Sequence, residues 1–233
     1  IDVALVFAVD SSASVSREEF ALQQQGIAAA LRDPGVLTAI EDAGKVAVSI
    51  LYWGSEGLPK PQSGWVLLNG REDAERFART VESMPRLVTG DTGLGAGLMS
   101  AIEKLDALGT CTARRVVNVS GDGEETRLYR QQRKSLPPSL VRELANRQQV
   151  EINALAIANE ESDLALYYTE NVITGPDAFV MEVRDYGEFA EAMKRKLIRE
   201  IGPRAVSETE TRKTGTIVET RLMSRDDRPA RFN

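Results

Sequence analysis

Short apolar runs alternate with amphipathic segments along most of this chain. The runs are rich in β-branched and aromatic residues and have the length of buried strands. They occupy residues 3–9, 46–53, 65–68, 115–120, 152–157 and 179–183. Between them, apolar residues recur at the spacing of one helical face, in segments at residues 17–33, 72–84, 97–108, 139–149 and 186–201. The pattern predicts six strands separated by helices that each bury one side.

This alternation predicts the fold class. Buried strands interleaved with amphipathic helices are typical of an α/β fold with a doubly wound, mostly parallel sheet, covered by helices on both faces. In that architecture ligands bind beyond the carboxyl ends of the strands, where the strand order reverses. The stretch "DSSAS" at residues 10–14 directly follows the first predicted strand, so it is the first place to look for a site.

The amino-acid composition of the chain changes at Pro203. Residues 203–233 are polar, carry charges of both signs and contain few large apolar residues, so they cannot support a core of their own. We therefore predict one domain over residues 1–202 and a polar C-terminal arm or linker over residues 203–233. Two interpretations of "GTIVETRLM" in this arm stay open. It is either an added strand that contacts a partner or a second copy at a sheet edge, or part of a flexible terminus.

Charge and composition exclude several classes of function. The 233 residues carry a net charge of −6 and contain no long run of Lys or Arg, which argues against a nucleic-acid partner. No stretch reaches the roughly 20 apolar residues of a membrane span. Cys111 is the single cysteine, so no internal disulfide forms, and we expect it to be a small packed side chain.

Histidine is absent from the sequence. This removes the Ser-His-Asp triad, the Cys-His pair and the commonest metal ligand. Any metal ion bound by this chain must therefore accept oxygen ligands.

Oxygen-bearing side chains follow three separate segments. Asp10, Ser12 and Ser14 occupy alternate positions, which is able to place one carboxylate and two hydroxyls on the same side of a turn. Asp122 lies in a Gly-flanked turn after the run 115–120, and Thr92 lies in a Gly-rich loop before a helix. Hard cations such as Mg²⁺ prefer such ligands. Taken alone, the first loop is better explained by helix capping than by metal binding, because "SREEF" reads as a helix start.

The segments "DSSAS", "GDT" and "SGDG" together resemble the von Willebrand factor A domain with its metal-ion-dependent adhesion site. The resemblance covers residues 1–202 and implies the metal ligands, which are Asp10, Ser12, Ser14, Thr92 and Asp122. In that family the serines and the threonine coordinate directly and the aspartates often act through water. The implied ion is Mg²⁺, with Mn²⁺ or Ca²⁺ as alternatives, and it accepts an acidic side chain of a partner protein as its last ligand.

A narrower resemblance and one departure accompany this match. The segments "RRVVNVSGDG", "LRDPGVLTAI" and "ENVITGPDAFV" are similar to an uncharacterised bacterial, typically exported branch of the family, of the DUF1194 type. Because the sequence opens at Ile1 inside a strand-like run, we interpret its start as trimmed, by signal-peptide cleavage or by the choice of fragment. Together these predict a periplasmic or secreted protein. The departure is Gly121, an extra residue where relatives have T-D-G.

The alternatives are weaker but stay open at this point. The loop "GDTGLGAG" fits neither G-x-G-x-x-G nor a Walker loop, which argues against nucleotide binding. A Mg²⁺-dependent phosphoryl-transfer enzyme would use Asp10 as nucleophile, yet the second aspartate expected two residues later is Ser12. A structural domain that binds no metal is the third alternative.

We expect Trp53 and the pair Tyr167 and Tyr168 to pack, and the acids at 124–125 to be solvated or to border the metal. The prediction is a non-enzymatic, cation-dependent protein-binding module.

Overall fold

The computed structural model describes residues 1–109, 112–126, 136–159 and 163–203, and these form six strands and seven helices. The strands are β1 (Val3–Asp10), β2 (Val46–Trp53), β3 (Val66–Leu68), β4 (Arg114–Gly121), β5 (Val150–Ile157) and β6 (Val180–Val183). Each lies within one or two residues of a predicted apolar run. The six predicted strands and the α/β fold class are confirmed.

All six strands belong to one sheet in the order β3-β2-β1-β4-β5-β6. Every neighbouring pair is parallel except β2 and β3, which are antiparallel. The chain thus winds from β1 to one edge and then, beginning with β4, to the other. The order reverses between β1 and β4, which run side by side until Val9 pairs with Ser120. Residues 10–14 and 122 therefore leave the sheet at its switch point.

Seven helices cover the sheet. They are α1 (Arg17–Arg32), α2 (Pro34–Ala43), α3 (Arg71–Ser83), α4 (Leu94–Ala107), α5 (Pro138–Arg147), α6 (Leu164–Asn171) and α7 (Phe189–Ile201). The five helical segments named from periodicity are confirmed, and the helical pattern around Tyr167 and Tyr168 is α6. The separate helix α2 was not predicted. It begins because Asp33 accepts hydrogen bonds from the amides of Gly35 and Val36, while Pro34 occupies the first helical position.

The core has two halves, one on each face of the sheet. Leu5, Phe7 and Val9 of β1 pack with α1, α2, α3 and α7. The alternate residues of β1, from Ala4 to Ala8, pack with α4, α5 and α6. Because both faces are covered, β1, β2 and β5 are buried along their whole length, which explains their almost continuous apolar sequences.

Some predictions concern residues that the structure does not describe. Cys111 and the arm from residue 204 onward lie outside the described ranges. The domain boundary at 202 and 203, and the possible strand in the arm, therefore stay predictions. Within the described ranges, none of the helices has the length and apolar character needed to span a bilayer.

Candidate metal centre

The loop after β1 is held in place by main-chain contacts from distant segments. The amide of Ser11 donates to the carbonyl oxygen of Trp53 over 2.8 Å, and the Ser11 hydroxyl lies 3.0 Å from the carbonyl oxygen of Val88. Arg86 donates from Nη2 to the carbonyl oxygens of Ser11 and Ser12, at 3.1 and 2.7 Å. These hydrogen bonds fix the conformation of the turn without a bound ligand.

Four of the five predicted ligands form a continuous hydrogen-bonded group. Oδ1 of Asp10 accepts from the amide of Ser12 at 2.7 Å. The hydroxyl oxygens of Ser12 and Ser14 are 3.1 Å apart. The Ser14 hydroxyl donates to Oδ1 of Asp122 over 2.7 Å. The carboxyl ends of β1 and β4 therefore bring two carboxylates and two hydroxyls together.

Thr92 lies in the loop that leads into α4. Its amide donates to the hydroxyl of Thr126 at 3.1 Å, and its carbonyl oxygen accepts from the amide of Thr126 at 2.9 Å. The amide of Ala13 donates to the carbonyl oxygen of Gly90 over 2.7 Å, so this loop contacts the loop after β1. Among the described residues, no hydrogen bond joins the Thr92 hydroxyl to the other four side chains. Its participation stays a prediction.

Ser12 and Ser14 do not cap α1. Ser16 is the N-cap residue, and its hydroxyl accepts from the amide of Glu19 while the Glu19 carboxylate accepts from the amide of Ser16. This capping box satisfies the amides of Ser16 and Glu19. Ser12 and Ser14 are left for another role, which weakens the capping interpretation of this loop.

The buried carboxylate of Asp10 is the dominant electrostatic feature. Asp10 is 0% exposed, and burial, followed by the negative charge of Asp122, raises its pKa to about 7. Its Oδ2 atom is buried and has no hydrogen-bond partner among the described residues. Burial also raises the pKa of Asp122, against hydrogen bonds from Ser14 and Tyr186 that act to lower it. Two buried acids that lack a counter-charge are costly unless a cation joins them.

The donor set suits a hard cation. Carboxylate and hydroxyl oxygens are ligands of Mg²⁺ and Mn²⁺, and the unpartnered Oδ2 of Asp10 is an acceptor that such an ion, or its bound water, would satisfy. No group of three or more His, Cys, Asp or Glu residues lies together within the described residues. A site here must therefore combine carboxylates with neutral hydroxyls, as the sequence pattern implied.

Gly121 resolves the departure in the turn after β4. It belongs to β4 and pairs with Ala156 of β5, so Asp122 directly follows the strand and the additional residue extends the strand, not the turn. A Cβ atom at Gly121 would lie 2.7 Å from the Tyr168 hydroxyl and 3.0 Å from Oδ2 of Asp10. Only glycine leaves room for the buried carboxylate there.

Sequence reasoning missed three residues that hold the group together. The Tyr186 hydroxyl donates to Oδ2 of Asp122 at 3.0 Å, and Nε2 of Gln23 donates to the carbonyl oxygen of Asp10 at 3.0 Å. Arg86 is the third. Gln23 is a polar residue on the buried face of α1, which is a signal that could have been noticed. Tyr186 and Arg86 offered none.

The remaining residues named from the sequence have structural roles. Trp53 and Tyr168 are fully buried, so their predicted packing is confirmed. Oε2 of Glu125 accepts from the amide of Gly95 at 2.9 Å, in the first turn of α4. Burial raises the pKa of Glu125 to about 7. Glu125 is therefore not a solvated loop acid, because it contacts the N-terminus of α4. It forms no hydrogen bond, within the described residues, to the four-residue group of Asp10, Ser12, Ser14 and Asp122.

Comparison with solved structures identifies the fold. The chain is similar to a von Willebrand factor type A protein from Catenulispora acidiphila, with 16% identity, a TM-score of 0.58, and coverage of 88% of this chain and 43% of that one. It is also similar to the pilus adhesin SpaC from Lactobacillus rhamnosus GG, with 14% identity, a TM-score of 0.62, and coverage of 86% and 31%. The manganese-loaded TRAP protein of Plasmodium vivax matches with 16% identity, a TM-score of 0.52, and coverage of 84% and 73%.

These identities establish the fold and no more. The chain spans less than half of the SpaC and Catenulispora proteins. No curated protein sequence matches it significantly. A family model described as "Protein of unknown function (DUF1194)" matches residues 1–205. The chain therefore belongs to the DUF1194 family, and its fold is that of a von Willebrand factor A domain.

Proposed function

We propose that this domain is a cation-dependent protein-binding module and not an enzyme. Ser12, Ser14 and Thr92 would hold Mg²⁺ or Mn²⁺, supported by Asp10 and Asp122. When bound, the ion supplies a directional contact for an acidic side chain of a partner protein. The observation that carries the proposal is the unpartnered, buried Oδ2 of Asp10 beside a second carboxylate and two hydroxyls at the switch point of the sheet.

The surrounding residues orient this group without competing for the ion. Arg86 holds the carbonyl oxygens of Ser11 and Ser12, so its charge is directed at the main chain. Tyr186 donates to Asp122 and fixes the carboxylate through a hydrogen bond that favours its charged form. Such supporting hydrogen bonds set the orientation of metal ligands.

The phosphoryl-transfer alternative finds less support. A nucleophilic carboxylate must reach its substrate, and Asp10 is fully buried. Ser14, by contrast, is exposed, so a partner is able to approach the group from the side of the hydroxyls. The manganese-loaded TRAP protein and the SpaC adhesin are consistent with a binding role for this fold. A periplasmic or secreted location stays part of the proposal.

Isothermal titration calorimetry with Mg²⁺ and Mn²⁺ tests the proposal. The wild type and Asp42→Ala, which removes an exposed carboxylate on α2, are expected to give binding heats. Asp10→Ala is expected to give none. If the wild type gives no binding heat, or if the wild type and Asp10→Ala give equal heats, the proposed metal binding at this site is wrong.

A capture experiment tests the partner. The immobilised wild-type domain is incubated with an extract of its source cells in Mg²⁺ and washed with EDTA, with Asp10→Ala and Asp42→Ala as parallel baits. Proteins that elute with EDTA from the wild type and Asp42→Ala, but not from Asp10→Ala, are the expected result. If the same proteins are captured whether or not EDTA is present, and by Asp10→Ala as well as by the wild type, the cation-dependent mechanism is contradicted.

A further inference from the structure

A groove lies next to the four-residue group, between the start of α1 and the segment that links α3 to α4. It has a volume of about 740 Å³ and opens to solvent. Ala13, which lines it, lies between Ser12 and Ser14 in sequence, so one wall of the groove belongs to the same loop as the candidate metal centre. Val15, Phe20 and Met84 form apolar parts of its wall.

The charges in this groove are unbalanced. Three charged residues line it, namely Arg17, Glu82 and Arg86. The Glu82 carboxylate is engaged by Arg32, which donates from both Nη atoms at 2.6 and 3.0 Å. Neither Arg17 nor Arg86 forms an ion pair within the described part of the chain. The groove therefore presents two arginines whose charge is not neutralised.

Arg86 is prepared for an anion. Its guanidinium lies over the ring of Phe20, 5.7 Å from the centroid, and its Nη2 atom is fixed by the two carbonyl oxygens. A planar guanidinium held in this way binds carboxylates with little loss of side-chain freedom. Arg17 is exposed and is able to follow a ligand.

We infer that this groove binds an acidic segment of the partner protein, flanking the residue that reaches the metal. The inference rests on the proposed function and adds the chemistry of the partner, which carries several carboxylates near its metal-binding acid. The apolar wall and the unpaired arginines together suit an extended acidic peptide, whose side-chain stems contact Met84 while its carboxylates contact Arg17 and Arg86.

Two fluorescein-labelled peptides test this by anisotropy in Mg²⁺ at low salt. One has a single aspartate among glycines and serines, and the other has glutamates on both sides of that aspartate. The glutamate-rich peptide is expected to bind about tenfold tighter. Arg17→Glu is expected to reduce that advantage about fivefold, because it reverses an exposed charge. Arg147→Glu, an exposed arginine on α5, is the matched control and should preserve it.

The outcomes separate this inference from the proposed function. If the single-aspartate peptide binds only in Mg²⁺ but the glutamates add nothing, the groove inference is overturned and the metal mechanism stands. If the glutamate-rich peptide binds equally in EDTA and still depends on Arg17, the groove stands and the metal mechanism fails. Equal weakening by Arg17→Glu and Arg147→Glu, or equally tight binding of a labelled single-stranded oligonucleotide, overturns the acidic-peptide assignment. So does a failure of the glutamate-rich peptide to bind.

Discussion

Asp10 stabilises the proposed contact and destabilises the metal-free fold. Its carboxylate is buried without a partner for Oδ2, and the raised pKa of about 7 means that the folded state disfavours the charged form. Residues with this conflict between function and stability are expected at binding sites. A substitution that removes the charge of Asp10 should therefore stabilise the metal-free protein and weaken metal binding.

Asp10→Asn is expected to stabilise the metal-free protein at pH 8 by on the order of 1 kcal/mol. The pKa of Asp10 is higher in the folded state than its ordinary value of 3.8. The free energy of unfolding of the wild type in EDTA should therefore fall as the pH rises from 3.8 to about 7. The variant should show no such fall. Urea unfolding in EDTA at several pH values measures both.

Mg²⁺ should reverse the order of stability. The wild type gains stability from an ion that binds only the folded state, whereas Asp10→Asn should gain little. If the variant is less stable than the wild type in EDTA at pH 8, the buried charge is not the cost that we assign to it.

Gly121→Ala should weaken metal binding from within the sheet. The new methyl group would lie 3.0 Å from Oδ2 of Asp10 and 3.2 Å from Cζ2 of Trp53, so the carboxylate or the strand must move. We expect a loss of about 1–3 kcal/mol in the free energy of unfolding and a weaker calorimetric affinity for Mg²⁺. Gly64→Ala is the control, because nothing lies within 4 Å of its added Cβ. Unchanged Mg²⁺ affinity in Gly121→Ala would show that the site tolerates the shift.

At the scale of elements, the loop after β1 divides its serines between two tasks. Ser16 caps α1, while Ser12 and Ser14 link Asp10 to Asp122. The spacing of four serines in one loop cannot reveal this division. It depends on where α1 begins and on where β4 delivers Asp122.

Ser16→Ala and Ser14→Ala should therefore have opposite effects. Ser16→Ala removes the N-cap and is expected to lower the free energy of unfolding by about 1 kcal/mol with the Mg²⁺ heat retained. Ser14→Ala is expected to change stability less and to weaken Mg²⁺ binding. Urea unfolding and calorimetry on both variants check the pair. If both variants lose stability and neither loses Mg²⁺ binding, the loop is only a capping loop.

The elements themselves were largely predictable, and the links between them were not. Continuous apolar runs located the strands, because strands covered on both faces are buried at every position. The 3.6-residue pattern located most helices, because each helix buries one side. The helix α2 follows α1 with only Asp33 between them, and it lies outside the predicted helical segment 17–33. Tyr186 reaches Asp122 across 64 positions and Arg86 reaches Ser12 across 74. Contacts at such separations depend on tertiary packing and leave no local pattern.

At the scale of the whole molecule, α7 is attached to the sheet by a buried ionic network. Lys196 and Glu200, one turn apart on α7, are both fully buried and form an ion pair. Nδ2 of Asn118 on β4 donates to Glu200 at 2.7 Å, and Nζ of Lys196 donates to the carbonyl oxygen of Asn153 on β5 at 3.0 Å. Tyr186, just before α7, contacts Asp122. The last helix is thus tied to the candidate metal centre at one end and to the middle of the sheet further along.

A double-mutant cycle on this pair measures how firmly α7 is held. Lys196→Met and Glu200→Leu should each destabilise the fold by about 3 kcal/mol, because each leaves a buried charge without its partner. The double variant should lose less than the sum, with a coupling energy of about 1–3 kcal/mol in urea unfolding. Arg184→Met and Glu188→Leu form the control cycle, since that pair has the same spacing but is exposed and should couple by less than about 0.5 kcal/mol. Equal coupling in the two cycles would mean that α7 is held by its apolar face alone, and that its buried charges do not fix its position on the sheet.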